Sequence, residues 1–209
     1  MIRDESLLKI AVLASGTGTT LQAVIDSIER EELGARICVV ISNRKDSEAL
    51  KRAAKAKIYT YVVTSSDPEE RDMEIVSALA ADSPDLILTL GYTQKIGKRL
   101  IARYPMRIIN THPALLPEFG GPGMYGDRVH AAVLEAKKKR SGATLHYILD
   151  DEVYDSGQTI CQTEVDVEPD DTIEALATRV QVAEQIQLIG FLKAIAINMK
   201  TIFSLTREP

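Results

Sequence analysis

The feature that most limits how this chain can fold is an apolar run at residues 8–14 that passes directly into a glycine-rich loop and a helical pattern. The loop, at residues 16–20, reads GTGTT. After it, the apolar residues between Leu21 and Ile28 recur at the i, i+3, i+4 and i+7 spacing of one helix face. A strand, a tight loop and a helix in this order are typical of α/β domains built on a parallel sheet.

The same alternation of apolar runs and helical patterns continues along the chain. Further strands are predicted at residues 37–42, 60–63, 86–90 and 107–110, and helices at residues 47–56, 69–81 and 128–137. Proline and glycine interrupt the pattern between residues 113 and 123, which predicts a loop there. The order of these elements indicates a layered α/β fold with a mostly parallel sheet.

The pattern changes towards the C-terminal end. Strands predicted at residues 143–149 and 158–165 are joined by a connection too short for a crossover helix, so we expect them to be antiparallel. A last, long helix is predicted from Asp171 to Thr201, with Glu174 three residues after Asp171 as in a capping box. We therefore predict one Rossmann-like α/β domain over residues 1–209, with antiparallel C-terminal strands and a long C-terminal helix.

Charge and cysteine usage exclude several classes of partner. The formal net charge is -5, so there is no overall positive field to attract nucleic acid. The longest apolar stretch, residues 186–197, is interrupted by Gln187 and Lys193 and is too short to span a bilayer, which predicts no membrane partner. Cys38 and Cys161 form neither a CxxC pair nor a metal-ligand spacing. With no signal-peptide pattern, we expect a cytoplasmic protein, monomeric or homodimeric, that uses no metal.

The glycine loop does not fit the dinucleotide-binding fingerprint. Leu21 stands where that fingerprint needs a third glycine, and the second predicted strand ends in Ser42 and Asn43 without an acid. The loop nevertheless offers free backbone N–H groups at the positive end of a helix, with the hydroxyls of Thr19 and Thr20 as further donors. It therefore predicts a site for a phosphate monoester, with a tight turn that binds nothing as the open alternative.

A second candidate site lies at residues 108–117, where a strand ends in the sequence IINTHPALLP. Side chains two apart on a strand share a face, so Asn110 and His112 are expected to point into the same crevice. An amide donor beside an imidazole suits the stabilisation of a developing oxyanion. The alternative is a polar strand end with a solvated histidine.

Other polar residues have both a functional and a structural interpretation. His146 lies within a predicted strand, either as a structural histidine or in a supporting role beside His112. His130 is expected to be structural or exposed. Asp155 is the candidate carboxylate that favours the charged imidazolium form of His112. Gln181 and Glu184, three apart on the last helix, share a face and are either site residues or ordinary surface residues.

Four motifs taken together resemble the phosphoribosylglycinamide formyltransferase family, the folate-dependent enzymes of purine biosynthesis. They are the segments at residues 14–22 (ASGTGTTLQ), 110–117 (NTHPALLP), 155–157 (DSG) and 179–184 (RVQVAE). Their order and spacing are similar to the family's from about residue 8 to residue 195. The resemblance implies a formyltransferase fold and transfer of a formyl group from 10-formyltetrahydrofolate, a co-substrate, to the amine of glycinamide ribonucleotide.

The resemblance also implies roles for particular residues. It implies that catalysis uses Asn110, His112 and Asp155, with His146 supporting them. The substrate phosphate and ribose would be bound by Gly16, Thr17, Gly18, Thr19, Thr20, Gln181 and Glu184. The folate would lie against Gly91, Tyr92, Thr93, Asp150 and Asp151.

The sequence departs from the family's usual residues at Thr20, Pro68, Gln94 and Gln185. The connection before Asp155 is also about two residues longer than in the family, so Asp150 or Asp151 is an alternative partner for His112. Two other functions stay open at this point. One is formyl transfer to another amine, such as a sugar nucleotide, and the other is non-catalytic binding of a phosphate ligand.

Overall fold

A computed structural model of the chain describes residues 7–149 and 154–205, with side chains described as far as residue 198. The strands are β1 (Leu8–Leu13), β2 (Ala35–Ser42), β3 (Tyr59–Val62), β4 (Leu86–Thr89), β5 (Ile108–His112), β6 (Arg140–Tyr147) and β7 (Thr159–Asp166). The helices are α1 (Thr19–Glu29), α2 (Glu48–Lys55), α3 (Pro68–Leu79), α4 (Lys98–Arg103), α5 (Asp127–Glu135) and α6 (Ile173–Leu205).

The strands form one sheet in the order β3-β2-β1-β4-β5-β6-β7. β1 to β5 are parallel, and β6 pairs antiparallel with both β5 and β7. This arrangement confirms the predicted mostly parallel sheet with antiparallel C-terminal strands. Because the chain runs outwards from β1 to β3 and then crosses back to β4, the topological switch point lies between β1 and β4, where open α/β sheets bind ligands.

Apolar side chains cover both faces of the sheet. On one face, buried residues of β1 and β4 pack with α1, α2 and α6. On the other face, residues such as Ile75, Leu79 and Leu100 of α3 and α4 cover the same strands. Both faces of β1 are therefore buried, which explains why its sequence reads as a continuous apolar run rather than an alternating one.

Two predicted strand boundaries differ from the structure because of tertiary pairing, and one helix was missed. β5 continues to His112, because Thr111 and His112 pair with Leu145 and Thr144 of β6. β6 begins at Arg140 because it pairs with β7 along that strand's whole length. α4 was not predicted: its six residues show no clear periodicity, and its first N–H groups donate to the Asp72 carboxylate of α3.

The predicted capping box of the last helix is wrong. α6 begins at Ile173, and its capping side chain is Thr172, whose Oγ1 accepts a hydrogen bond from the Ala175 N–H at 3.2 Å. Asp171 instead accepts two hydrogen bonds from the Arg179 guanidinium, at 2.7 and 2.9 Å. A bidentate arginine competes successfully for a carboxylate that could otherwise have capped the helix.

α6 is apolar and long, with a mean hydropathy of 1.3 over its most apolar 18 residues within Ile173–Asn198. By length and composition alone this segment could cross a membrane. Its buried side chains Leu176, Val180, Leu188 and Leu192 lie instead in clusters packed against the sheet. α6 therefore belongs to the core of the domain, and one of its turns carries Gln181 and Glu184 to the sheet's carboxyl edge.

Candidate active site

A cleft of about 560 Å³ opens at the carboxyl ends of β1, β4 and β5. One wall is the loop between β1 and α1, together with one turn of α6. The opposite wall consists of residues from β5 and β6, the segment at 121–127, and Asp155. The cleft therefore joins both candidate sites identified in the sequence into one cavity at the switch point.

The carbonyl groups of residues 16–18 point away from the cleft, because donors of α1 and α2 bind them. Gly16 O accepts hydrogen bonds from Ala49 N–H and Ser47 Oγ, at 3.2 and 3.3 Å. Thr17 O accepts from Arg52 Nε at 2.8 Å, and Gly18 O accepts from Gln22 N at 2.9 Å. In a trans peptide the N–H is opposite the C=O, so the N–H groups that follow these carbonyls face the other way.

Gly18 allows this loop to pack tightly on α2. Its φ is +68°, and a Cβ atom at this position would lie 2.7 Å from Ala49 Cα. Glycine is therefore needed for both its backbone conformation and its lack of a side chain. The resulting concave run of N–H groups before α1 is the backbone geometry that binds anions.

α6 contacts the hydroxyls of the two threonines at the start of α1. Gln181 Nε2 donates to Thr19 Oγ1 at 2.7 Å, which leaves the Thr19 hydroxyl proton free to donate to a ligand. Thr20 Oγ1 donates to Glu184 Oε1 at 2.7 Å. Glu184 therefore holds the Thr20 hydroxyl proton in this structure, and the part of Thr20 in anion binding stays a prediction.

Glu184 is held between the two halves of the site. Besides the bond from Thr20, its carboxylate receives a hydrogen bond from Thr111 of β5. Burial raises the pKa of Glu184 above its ordinary value, while the two hydroxyl donors act in the opposite direction. The contacts link the β1–α1 loop to the strand that carries Asn110 and His112.

Asn110 is oriented by partners on both sides of its amide. Thr89 Oγ1 donates to Asn110 Oδ1 at 2.7 Å, and Asn110 Nδ2 lies 3.0 Å from His146 Nε2. His146 Nδ1 lies 3.1 Å from Tyr147 O, to which it can donate its proton. A neutral His146 then accepts from Asn110 through Nε2, and the second proton of the Asn110 amide is left for a ligand.

The neutral form of His146 is consistent with its surroundings. The imidazole is 2% exposed, and this burial lowers its pKa, although the Tyr147 carbonyl and the Asp155 carboxylate favour the charged form. From the sequence, His146 is either a structural histidine or a supporting residue beside His112. The structure places it instead against Asn110, its directly paired residue in the sheet.

Asp155 lies between two imidazoles. Its Oδ2 is 3.6 Å from His112 Nδ1, and its Oδ1 is 3.6 Å from His146 Nε2. Gly121 N–H donates to Asp155 Oδ2 at 2.9 Å, which helps to hold the carboxylate in this place. His112 Nε2 lies 2.9 Å from Phe119 O, so His112 faces the carboxylate through Nδ1.

The structure brings Asp155 to His112. Asp150 and Asp151, the alternatives for that place and two of the residues predicted to bind folate, lie outside the described residues.

The loop after β4 lies between the two walls. Gly91, Tyr92 and Thr93, predicted to contact folate, all line the cleft. Thr93 N–H donates to Ser15 Oγ at 2.9 Å, which ties this loop to the end of β1. The Tyr92 hydroxyl is buried without a hydrogen-bond partner among the described residues, and burial raises its pKa to about 12.

Several residues of the cleft were not identified from the sequence. Lys95 lines it, with its ammonium group 5.3 Å from the Tyr154 ring centroid, and the segment from Gly121 to Gly126 forms part of one wall. His130 is 4% exposed and also lines the cleft, and its Nδ1 has no partner in the part of the chain that the structure describes. Nothing in the periodicity of α5 distinguishes His130 from an ordinary buried residue.

Arg71, the first basic residue after Pro68, does not reach the cleft. Pro68 is the first residue of α3, and Arg71 is 5% exposed one turn later. The Arg71 guanidinium donates to Ser66 O and Lys95 O at 3.5 and 3.3 Å, and it does not line the cleft. Among the described lining residues, Lys95 is the one lysine or arginine.

Among residues 7–149 and 154–205, no group of three or more His, Cys, Asp or Glu side chains is arranged to hold a metal ion. Both cysteines are free thiols.

Comparison with known proteins relates this site to one family. Residues 8–192 match the sequence profile described as formyl transferase. The chain is 36% identical over 176 residues to the chloroplastic phosphoribosylglycinamide formyltransferase of Arabidopsis thaliana, covering 82% of this chain and 60% of that protein. It is also 36% identical over 181 residues to the trifunctional purine biosynthetic protein adenosine-3 of Drosophila melanogaster, covering 84% of this chain but only 13% of that protein.

A solved structure extends the comparison to the three-dimensional fold. The phosphoribosylglycinamide formyltransferase of Coxiella burnetii superimposes with a TM-score of 0.83 at 35% identity. The match covers 92% of this chain and 88% of that one. The similarity of fold therefore extends over most of both chains.

Proposed function

The chain belongs to the formyl transferase family, and from this premise we propose that it transfers a formyl group from 10-formyltetrahydrofolate to the amine of glycinamide ribonucleotide. This reaction is a step of de novo purine biosynthesis. The single observation that carries the proposal is that one cleft contains both a backbone anion site and an amide–imidazole–carboxylate cluster. The anion site suits the phosphate of the acceptor, and the cluster suits the transfer of the formyl group to its amine.

The phosphate of the acceptor binds at the β1–α1 loop. Gly16, Thr17, Gly18, Thr19 and Thr20 line the cleft there. The N–H groups of Thr17, Gly18 and Thr19 face away from the carbonyls that α1 and α2 bind, and the Thr19 hydroxyl adds one donor. Gln181 and Glu184 lie beside this loop, where they reach the ribose hydroxyls. The positive potential for the phosphate comes chiefly from backbone dipoles, because the described cleft contains a single lysine and no arginine.

The folate enters along the loop after β4. Gly91, Tyr92 and Thr93 offer a mixed apolar and polar surface there, and Lys95 provides a cation in the cleft lining that suits the carboxylates of a folate tail. Asp150 and Asp151 remain predicted folate contacts. The formyl group is then directed towards Asn110 and His112.

In the reaction, the amine nitrogen of the acceptor attacks the formyl carbon, and the carbonyl oxygen takes the negative charge. The free Asn110 amide proton and the imidazole of His112 stabilise this tetrahedral oxyanion. The bond between the carbon and the folate nitrogen then breaks. One proton leaves the attacking amine and one is added to the folate nitrogen, and Asp155 assists this transfer through water.

Both reactants are small molecules, and we place the protein in the cytoplasm as a monomer or homodimer that needs no metal. Its two free thiols are compatible with a reducing compartment.

The test is a formyl-transfer assay with the purified protein. Release of tetrahydrofolate would be followed with glycinamide ribonucleotide, with water alone, and with an amino-sugar nucleotide as acceptor. We expect turnover that depends on glycinamide ribonucleotide. Turnover of another acceptor, without turnover of glycinamide ribonucleotide, would overturn the proposal.

A further inference from the structure

Arg52 lies on α2, outside the cleft, yet it is bound to the loop that faces it. Its Nε donates to Thr17 O at 2.8 Å, and its Nη1 donates to Gln22 Oε1 at 3.2 Å. Gln22 is itself held by Asp26, to whose Oδ1 it donates at 2.7 Å. The guanidinium is thereby fixed against the back of the loop from two directions.

The charge of Arg52 is not neutralised by an ion pair. In the part of the chain that the structure describes, no salt bridge joins Arg52 to a carboxylate. By contrast, Arg44 pairs with Asp46, and Lys51 pairs with Glu48. A half-buried cation that binds a carbonyl oxygen rather than a carboxylate has no paired negative charge to cancel its field at the loop.

The peptide group between Thr17 and Gly18 transmits this charge to the cleft. Thr17 C=O and Gly18 N–H belong to the same trans peptide, so a cation on the oxygen polarises the N–H on the opposite side. Gly18 lines the cleft, and Arg52 does not. The peptide group between Gly16 and Thr17 is also bound from behind, because Ala49 N–H and the Ser47 hydroxyl donate to Gly16 O.

We propose that Arg52 is a positioning residue for the acceptor's phosphate: by holding Thr17 O, it orients and polarises the Gly18 N–H without touching the substrate. The proposal rests on the proposed function in one respect, that the loop binds the phosphate of the acceptor. It explains how a cleft with so few cations holds a dianionic group. The positive charge of Arg52 lies behind the loop. It strengthens the Gly18 N–H as a donor and makes no contact with the rest of the acceptor.

The proposal is tested with three variants. Arg52→Met removes the charge and the donor but keeps most of the side chain's length, and Arg52→Lys keeps the charge without the planar donor group. Lys55→Met makes the same charge change on an exposed residue of the same helix and serves as the control. For Arg52→Met we expect KM for glycinamide ribonucleotide to rise about tenfold, with kcat and KM for the folate changed by less than about twofold.

Two further expectations follow from the same variants. Arg52→Lys should recover part of the loss, and Lys55→Met should match the wild type. With glycinamide riboside, which lacks the phosphate, wild type and Arg52→Met should have equal kcat/KM. Equal losses with both acceptors, or no loss with either, would overturn the proposal, since the first indicates a purely structural role and the second indicates no role.

Calorimetric titration with inorganic phosphate separates this inference from the proposed function, because it requires no catalysis. We expect Arg52→Met to bind phosphate about tenfold more weakly than wild type and Lys55→Met. If the wild type binds phosphate in this way but does not formylate glycinamide ribonucleotide, the positioning role stands and the proposed function fails. Equal phosphate affinity in all three proteins, or no phosphate binding by the wild type, would contradict the positioning role.

Discussion

The two walls of the cleft are built from different parts of the chain. The β1–α1 wall presents mainly backbone N–H groups, and the carbonyls behind them are bound by donors of α1 and α2. The opposite wall presents side chains from β5 and β6 and the segment before β7, with Asn110, His112 and His146 around Asp155. The first wall contains no histidine, whereas His112 and His146 lie in the second, and His130 of α5 also lines the cleft.

Backbone donors and titratable side chains suit two different tasks, binding and catalysis. Backbone donors that are fixed by secondary structure hold a charge that does not change during the reaction, such as a phosphate. Charge development and proton transfer need groups that can gain or lose protons, and those are side chains. The comparison predicts that changes in the backbone wall alter binding, whereas changes in the side-chain wall alter turnover.

The largest effect is expected from Asn110→Ala in the side-chain wall. It removes one oxyanion donor, so kcat should fall about a hundredfold or more. KM for glycinamide ribonucleotide should stay within about twofold, because every N–H of the loop remains. Initial rates at varied acceptor concentration measure both quantities.

Thr89→Val tests the same wall with a milder change than Asn110→Ala. It removes the hydroxyl that donates to Asn110 Oδ1 but leaves the Asn110 amide in place. We expect a smaller loss in kcat, about tenfold, because the donor survives with weaker orientation. If Asn110→Ala raised KM and left kcat unchanged, the division of tasks between the walls would be wrong.

Gly18→Ala in the backbone wall is expected to have a smaller effect, and to change binding of the acceptor rather than turnover. The new Cβ would meet Ala49 Cα and would force a side chain into a positive-φ conformation. We expect the free energy of unfolding to fall by about 1 to 3 kcal/mol and KM for glycinamide ribonucleotide to rise about tenfold. Turnover at saturating acceptor should change little.

Gly16→Ala is the matched control for this loop. A Cβ at Gly16 would meet nothing within 4 Å, and its φ is not in the left-handed region. The free energy of unfolding, measured by urea denaturation, should therefore stay close to wild type. A Gly18→Ala protein with normal KM but reduced kcat would argue against phosphate binding at this loop.

The backbone wall could be predicted from the sequence because its signals are local. An apolar run, two glycines and a helical period lie within about twenty residues, and each has a direct structural meaning. The period of two on β5 likewise predicted that Asn110 and His112 share a side, and both line the cleft. Their predicted chemical roles stay predictions.

The rest of the site depends on contacts between distant segments. The connection before Asp155 has no periodicity, so its alignment with His112 could not be read from spacing. The bond between Arg52 and Thr17 joins residues 35 positions apart, and the one between Thr20 and Glu184 joins residues 164 apart. Such partners follow from the packing of α2 and α6 on the sheet, and no local pattern indicates them.

The smallest effect, a dependence of stability on pH, should also distinguish the walls. Burial lowers the pKa of both His146 and His130 below the unfolded value near 6.5. The unfolded chain therefore binds more protons than the folded one as the pH falls through that value, and stability is lost there. Above about pH 7.5 both histidines are neutral in either state, and their contribution to stability is fully present.

Urea denaturation between about pH 8 and pH 5.5 measures this slope, which cannot exceed about 1.4 kcal/mol per pH unit for each histidine. His146→Gln should flatten the curve, because glutamine does not titrate, while Gly16→Ala in the backbone wall should keep the wild-type slope. The slope is informative even if His146→Gln lowers stability at every pH. An unchanged slope in both His146→Gln and His130→Gln would mean that these imidazoles gain protons as readily in the fold as in water, and the neutral His146 that accepts from Asn110 would have to be abandoned.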